Sequence, residues 1–115
     1  MGATRFNTYT QFSIQAVSGT NTYTSPITNI NQMHNIGIDV RFIGTMTGTF
    51  SVKCSNDGTT FTALTFNPAI TQPSGSSLNF LINVNQVPFN YLQVQYVNSS
   101  GSGTLTSILT SKDLG

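Results

Sequence analysis

The feature that most constrains this chain is an alternation of apolar and polar residues with a period of two. Between positions 36 and 55 the apolar side chains recur at every second residue, at Ile36, Ile38, Val40, Phe42, Phe50, Val52 and Cys54. This period is typical of half-buried β-strands, because successive side chains of a strand point to opposite faces. A loop bounded by glycines separates the two runs, so the pattern predicts a β-hairpin.

The alternation also predicts a register for this hairpin. In the register that buries Phe42 beside Phe50, the seven apolar residues named above share one face. The same register sets Asp39 opposite Lys53 on the solvent face. One arrangement therefore buries the apolar residues and pairs two of the few charges.

Similar runs continue along the chain, with turn residues between them. They predict further strands at residues 11–17, 25–30, 60–66, 78–84, 91–97 and 104–110. The Pro- and Ser-containing stretch 67–77 exceeds a tight turn, and we expect it to cross from one sheet to another. No apolar stripe of helical period extends over eleven residues. Seven or eight short strands at this spacing predict an all-β fold, an antiparallel β-sandwich or jelly roll.

The inward phase of these strands predicts the core. Five phenylalanines fall on it: Phe12, Phe42, Phe50, Phe61 and Phe80. Ile14 and Ala16 share a face with Phe12, and Leu105 and Leu109 point inward in the last strand. A length of 115 residues is that of one domain. We therefore expect residues 1–115 to form a single β-sandwich domain, with residues 1–10 able to form an extended arm.

The chain carries very little charge. Asp, Glu, Lys and Arg make up 6% of the residues and the formal net charge is +1, whereas Thr, Ser, Asn and Gln together number 50. Such a surface offers no basic face for a phosphate backbone and no acidic face for a basic partner. We expect neither nucleic acid nor a charged membrane surface as a partner.

The amino terminus lacks the charged segment and apolar run of a signal peptide, and no stretch approaches eighteen consecutive apolar residues. The sequence therefore predicts neither export by that route nor insertion in a bilayer. A Thr/Asn/Ser/Gly-rich β chain is nevertheless typical of exposed proteins. Assembly of a virus particle in the host cytoplasm, followed by lysis, reconciles the two observations; leaderless secretion or cleavage from a larger exported protein would do so too.

Groups that can perform catalysis are few and scattered. His34 and Cys54 could form a nucleophilic pair, but Cys54 is predicted to face the core and nothing orients the imidazole. No spacing of Cys and His matches a zinc site. Asp57 could help to ligate calcium, although an Asp-Gly pair more often forms a turn. We therefore assign no catalytic residue, no metal ligand and no cofactor.

Several apolar residues fall on the phase that their polar neighbours assign to solvent. They are Ile43, Leu81, Tyr91, Val97 and Ile108. Surface patches that are rich in aliphatic residues and Tyr and poor in charge are typical of interface cores. These five residues are the candidate interface; the alternative is a sheet face that loops of the same chain cover.

Three segments resemble small virion proteins of tailed bacteriophages. They are Phe50-Ser-Val-Lys-Cys-Ser-Asn-Asp-Gly-Thr-Thr-Phe61, Leu78-Asn-Phe-Leu-Ile-Asn-Val-Asn-Gln-Val-Pro-Phe-Asn-Tyr-Leu-Gln-Val-Gln-Tyr-Val97 and Gly101-Ser-Gly-Thr-Leu105. The resemblance covers residues 36 to 112. A similar Ser-x-Asp-Gly turn occurs in discoidin-like domains that bind sugars and lipids. The resemblance implies a structural role that needs no catalytic residues, without distinguishing head, neck and tail.

The sequence thus favours a noncatalytic virion structural protein, of the capsid-decoration or tail and neck accessory type. It would assemble with itself or bind other virion proteins on a capsid or tail surface, within a particle assembled in the host cytoplasm. The alternative is a carbohydrate-binding or receptor-binding β-sandwich module, in which Tyr91 and Asp57 would contact a glycan. An enzyme that depends on His34 is a third reading.

Overall fold

A computed structural model describes residues 4–30, 35–66, 70–85 and 89–114. The described residues form nine strands: β1 (Thr4–Val17), β2 (Thr22–Thr24), β3 (Thr28–Asn29), β4 (Asn35–Gly44), β5 (Thr47–Ser55), β6 (Thr62–Ala63), β7 (Leu78–Asn85), β8 (Tyr91–Ser100) and β9 (Gly103–Leu114). None of them is part of a helix, and so no helix within these ranges could span a membrane.

The strands form two antiparallel sheets that pack face to face. Sheet A has the order β1-β9-β4-β7, and sheet B has the order β2-β8-β5-β6, with β3 also paired to β8. The predicted all-β sandwich is confirmed. The chain crosses between the sheets from β6 in sheet B to β7 in sheet A, as predicted; residues 67–69 of the predicted crossover 67–77 lie outside the described residues.

The predicted hairpin between residues 36 and 55 is wrong. β4 pairs with β7 and β9 in sheet A, whereas β5 pairs with β8 and β6 in sheet B. The two strands face each other across the core, where the rings of Phe42 and Phe50 lie 6.0 Å apart, edge to face. Asp39 therefore does not oppose Lys53, which pairs with Gln93 on β8. The alternation identified the inward side chains correctly, and it is compatible with either neighbour for each strand.

Two adjacent connections between the sheets replace the hairpin. One joins β4 to β5 and the other joins β8 to β9, and the amide of Thr45 in the first donates to the carbonyl of Ser102 in the second, at 2.9 Å. Gly101 has a φ of 79°, and a Cβ on it would lie 2.0 Å from the carbonyl oxygen of Thr45. Only glycine fits here, which gives the Gly101-to-Leu105 motif a structural reason.

The core lies between the two sheets. Its fully buried side chains come from both layers: Ile30, Ile38, Val40, Phe42, Met46, Phe50, Val52, Leu92, Val94, Tyr96, Leu105 and Leu109. Phe12 is also buried and Phe80 packs against the core at its margin, stacked on Phe42 with ring centroids 6.2 Å apart. The prediction is wrong for Phe61, which is half-buried outside this cluster, because β6 contains only two residues and Phe61 precedes it.

The first strand departs from simple alternation. Ile14 does not share the buried face of Phe12, because the register of β1 against β9 shifts between Phe12 and Gln15. Ile14 is 71% exposed and has a φ of 50°, which is rare for a β-branched residue. Ala16 is exposed too. Residues 4–10 belong to the segment 1–10 that was predicted to be able to form an extended arm. They are part of β1 and pair with β9 of the same chain.

Candidate interaction surfaces

The outer face of sheet A exposes large apolar side chains. Ile43 on β4 is 62% exposed and Leu81 on β7 is 63% exposed. Ile108 on β9 is half-buried, and lies in one row with Asp39 and Leu81 across three strands. Three of the five predicted interface residues therefore share this face. Ile14 on β1 is another large exposed apolar residue of sheet A, and its exposure was not predicted from the sequence.

The same face carries the chain's one described ion pair. Nη2 of Arg41 lies 3.2 Å from Oδ2 of Asp39, two residues earlier on β4. Both side chains are largely exposed, so solvent and salt screen their attraction and the pair contributes little to stability. Its effect on the surface is neutrality: the two charges balance each other among threonines, asparagines and apolar residues.

The other two predicted interface residues lie on the opposite side of the molecule. Tyr91 and Val97 both belong to β8 and point outward from sheet B. Val97 is 43% exposed, whereas Tyr91 is half-buried because its ring packs over Gly58 in the turn after β5. The five residues therefore do not form one patch, and a single contact cannot cover them all.

The turn that follows β5 uses its carboxylate internally. Oδ1 of Asp57 accepts hydrogen bonds from the amides of Thr59 and Thr60 at 2.8 and 2.9 Å, and from the hydroxyl of Ser55 at 2.8 Å. These donors stabilise the ionised form and lower the pKa of Asp57 to about 2. The geometry is that of a carboxylate that closes a turn, which was the more common of the two readings of Asp57.

The described residues bring no reactive groups together. Cys54 is partly buried, its Sγ lies 3.6 Å from the carbonyl oxygen of Thr62, and burial raises the pKa of its thiol. His34, its hypothetical partner, lies outside the described residues. Within the described ranges no three His, Cys, Asp or Glu side chains come close enough to hold a metal ion.

The outer backbone edge of β5 is covered by other residues of the same chain. Along the outer edge of β5, the carbonyl of Met46 accepts from the amide of Gly75, the amide of Gly48 donates to Pro73, and the carbonyl of Val52 accepts from Leu64. Between them, the side-chain amide of Gln72 bonds both backbone groups of Phe50, with Oε1 2.7 Å from its nitrogen and Nε2 3.0 Å from its oxygen. Leu64 and residues 72–75 thus satisfy this edge as a further strand would.

A groove lies between β5 and this covering segment. It encloses about 280 Å³ and is lined mainly by apolar side chains, among them Phe50, Leu64, Phe66 and Ile70, with Gln72 as a polar member. No residue of its lining can donate or accept a proton near neutral pH. Sequence reasoning missed Gln72, because its contact depends on a crossover whose path the local pattern does not specify.

No protein-family model matches this chain. No curated protein matches it either.

Solved structures of viral and prophage proteins have a similar fold. The VP2 subviral particle of infectious bursal disease virus matches with a TM-score of 0.61 and 14% identity, over 97% of this chain and 33% of that chain. The SPBc2 prophage-derived protein YomS matches with a TM-score of 0.63 and 12% identity, over 98% of this chain and 97% of that one. The PBSX exported protein XepA matches with a TM-score of 0.66 and 13% identity, over 95% of this chain and 37% of that one.

The chain therefore spans about a third of VP2 and somewhat more of XepA, and nearly all of YomS. At these identities the likeness demonstrates a common fold: this chain has the β-sandwich that occurs in a virus capsid protein and in two prophage proteins.

Proposed function

We propose that this protein is a noncatalytic structural component of a virus particle, and that it assembles with itself or with other virion proteins. The observation that carries the proposal is the fold, which is shared along at least 95% of the chain with a capsid protein and two prophage proteins. The resemblance of residues 36 to 112 to tailed-phage virion proteins supports a phage particle, with the protein on a capsid or tail surface.

The surface chemistry agrees with such a role. The outer face of sheet A presents Ile43 and Leu81 to solvent near a balanced ion pair, and Ile14 on β1 is exposed as well. Exposed apolar side chains in a neutral, hydroxyl- and amide-rich surface favour contacts with protein over contacts with a polyanion. The reactive groups of the described residues are scattered, and Asp57 is engaged in its own turn.

Purified particles test this proposal. Particles released from cells that carry the gene for this chain are separated on a density gradient, washed in about 1 M NaCl, and analysed by mass spectrometry and with an antibody against the chain. Because contacts with few charges depend little on ionic strength, we expect the chain to remain with the particles after the wash. Absence of the chain from the particles, or its quantitative release by salt, would contradict the proposal.

The glycan-binding alternative has a separate test. Asp57 and Tyr91, the residues it depends on, make contacts within the turn after β5. No observation of the structure favours a glycan there, and we expect a glycan array probed with the purified chain to show no binding. Reproducible binding that is lost on Tyr91→Ala would support the module instead.

A further inference from the structure

Three of the four sheet edges in the described structure are protected. The outer edge of β5 is bonded by Leu64 and residues 72–75, and the β2 and β3 edge of sheet B consists of strands of three and two residues. β1 is long, but two register shifts and the positive φ of Ile14 interrupt it. Short edge strands, bulges and covering segments are the usual devices that prevent a sheet edge from pairing with another chain.

β7 has none of these devices. It runs over eight residues, Leu78–Asn85, in unbroken register with β4. It contains no proline and no charged residue. In an antiparallel ladder, every second residue of an edge strand directs its N–H and C=O groups away from the neighbouring strand. Among the described residues, no hydrogen bond joins these groups of β7 to another segment. Within the described ranges, this edge therefore offers a template for one further strand.

The side chains of β7 define which strand fits. Leu78, Phe80, Ile82 and Val84 face the core, and of these Leu78, Phe80 and Val84 remain partly exposed because β7 lies at the margin. The outward side chains are uncharged, with Leu81 between Asn79 and Asn83. A partner strand must therefore be neutral, and it must alternate apolar and amide side chains with a period of two.

A second copy of β7 meets these requirements. Two antiparallel copies centred on Leu81 bring residues of the same face together, so that Phe80 lies beside Ile82 of the second copy and Asn79 beside its Asn83. Leu81 then lies beside Leu81 of the second copy. No like charges oppose each other, since β7 has none and Asp39 on the adjacent strand is balanced by Arg41.

We propose that β7 pairs with β7 of a second copy across a two-fold axis through Leu81, which joins sheet A of both copies into one continuous sheet. This inference names the self-contact of the proposed structural role and rests on it. A single ladder of this length makes a small interface, below the roughly 1,200 Å² of a stable complex, so the isolated dimer is of the weak class and many copies on a particle would strengthen it.

Sedimentation velocity of the purified chain, from about 1 to about 500 µM, measures the dimer. Leu81→Lys places two ammonium groups opposite each other at the axis, at a Cβ separation of about 4.5–5.5 Å, and we expect it to raise the dimer dissociation constant at least tenfold. Ile43→Lys is the matched control: its side chain is equally exposed on the same face of sheet A, but it lies on β4. We expect it to leave the dissociation constant within about twofold.

A charge swap makes the test specific to the axis. Leu81→Lys mixed with Leu81→Asp should restore the dimer, because only a two-fold contact at position 81 brings the two side chains together. An independent measurement is oxidative cross-linking of Leu81→Cys, with Ile43→Cys as its control, in a Cys54→Ala background. We expect covalent dimers from Leu81→Cys alone, and this readout serves even where the charged variants fold poorly.

Several results would overturn the inference: a wild-type chain that stays monomeric up to about 500 µM, an assembly that Leu81→Lys leaves unchanged, or equal losses from Leu81→Lys and Ile43→Lys. Its failure is distinguishable from that of the proposed function. A monomer that is nevertheless found in purified particles rejects only the β7 contact, whereas a dimer that is absent from particles rejects the virion role.

Discussion

Gln72 is the residue whose replacement tests the fold account most sharply. Its side-chain amide occupies the place of a strand residue at the outer edge of β5, and it bonds both backbone groups of Phe50 at 2.7 and 3.0 Å. Gln72→Ala removes both bonds and leaves the N–H and C=O of Phe50 facing the mainly apolar groove. Each such bond contributes about 1 kcal/mol net, so we expect a loss of about 2 kcal/mol in the free energy of unfolding.

Urea unfolding followed by far-ultraviolet circular dichroism measures this loss. A change of about 2 kcal/mol corresponds to a fall in Tm of about 8 °C for a domain of this size. Gln15→Ala is the matched control, because the amide of Gln15 bonds only the carbonyl of the adjacent Ala16 at an exposed position. We expect this control to change the free energy of unfolding by no more than about 0.5 kcal/mol. Equal, small effects of both variants would refute the edge role of Gln72.

Three further predictions concern buried polar contacts and turns. Asn98 is buried, accepts a hydrogen bond from the Tyr96 hydroxyl and donates to the carbonyls of Gly19 and Gly101. Because Asn98→Ala leaves a buried hydroxyl unpaired, we expect urea unfolding to show a loss of about 3 kcal/mol in the free energy of unfolding. Gly101→Ala should lower it by at least about 2 kcal/mol by the same assay, because the positive φ and the Thr45 carbonyl exclude a Cβ. The pKa of Asp57 is lowered to about 2. The stability that its ionised form contributes is therefore complete above the ordinary pKa near 4 and is lost as the pH falls towards 2. When Tm is measured as a function of pH, we expect Asp57→Asn to remove this part of the acid dependence.

Within the regular strands β4, β5, β7 and β8, the alternation of residues predicted which side chains face the core, but it did not predict which strands are neighbours. Phe42 and Phe50 would be buried in a hairpin as well as in the observed pair of facing strands. Only the long-range pairing of the strands distinguishes these two arrangements. The irregularity of β1 could not be predicted either, because the register shift between Phe12 and Gln15 leaves no mark on the composition of the strand. Tertiary pairing, rather than local preference, decided both cases.

The exposure of some candidate interface residues could be predicted from the sequence, but their distribution over two faces could not. The polar neighbours of Ile43 and Leu81 correctly indicated exposure, because each lies within a regular run of its strand. That Tyr91 and Val97 belong to the opposite sheet follows from the topology, which local patterns do not contain. That no described residue bonds the outer edge of β7 likewise follows from the tertiary structure and not from the local pattern.

The number of copies of this chain in each purified particle tests the central claim most directly. Isotope-labelled peptides of known amount, added before digestion, give that number relative to the other proteins of the particle. A structural component should be present at a fixed, reproducible ratio to them in independent preparations. A variable, trace amount, or none, would contradict the claim that this sandwich is part of the particle's architecture.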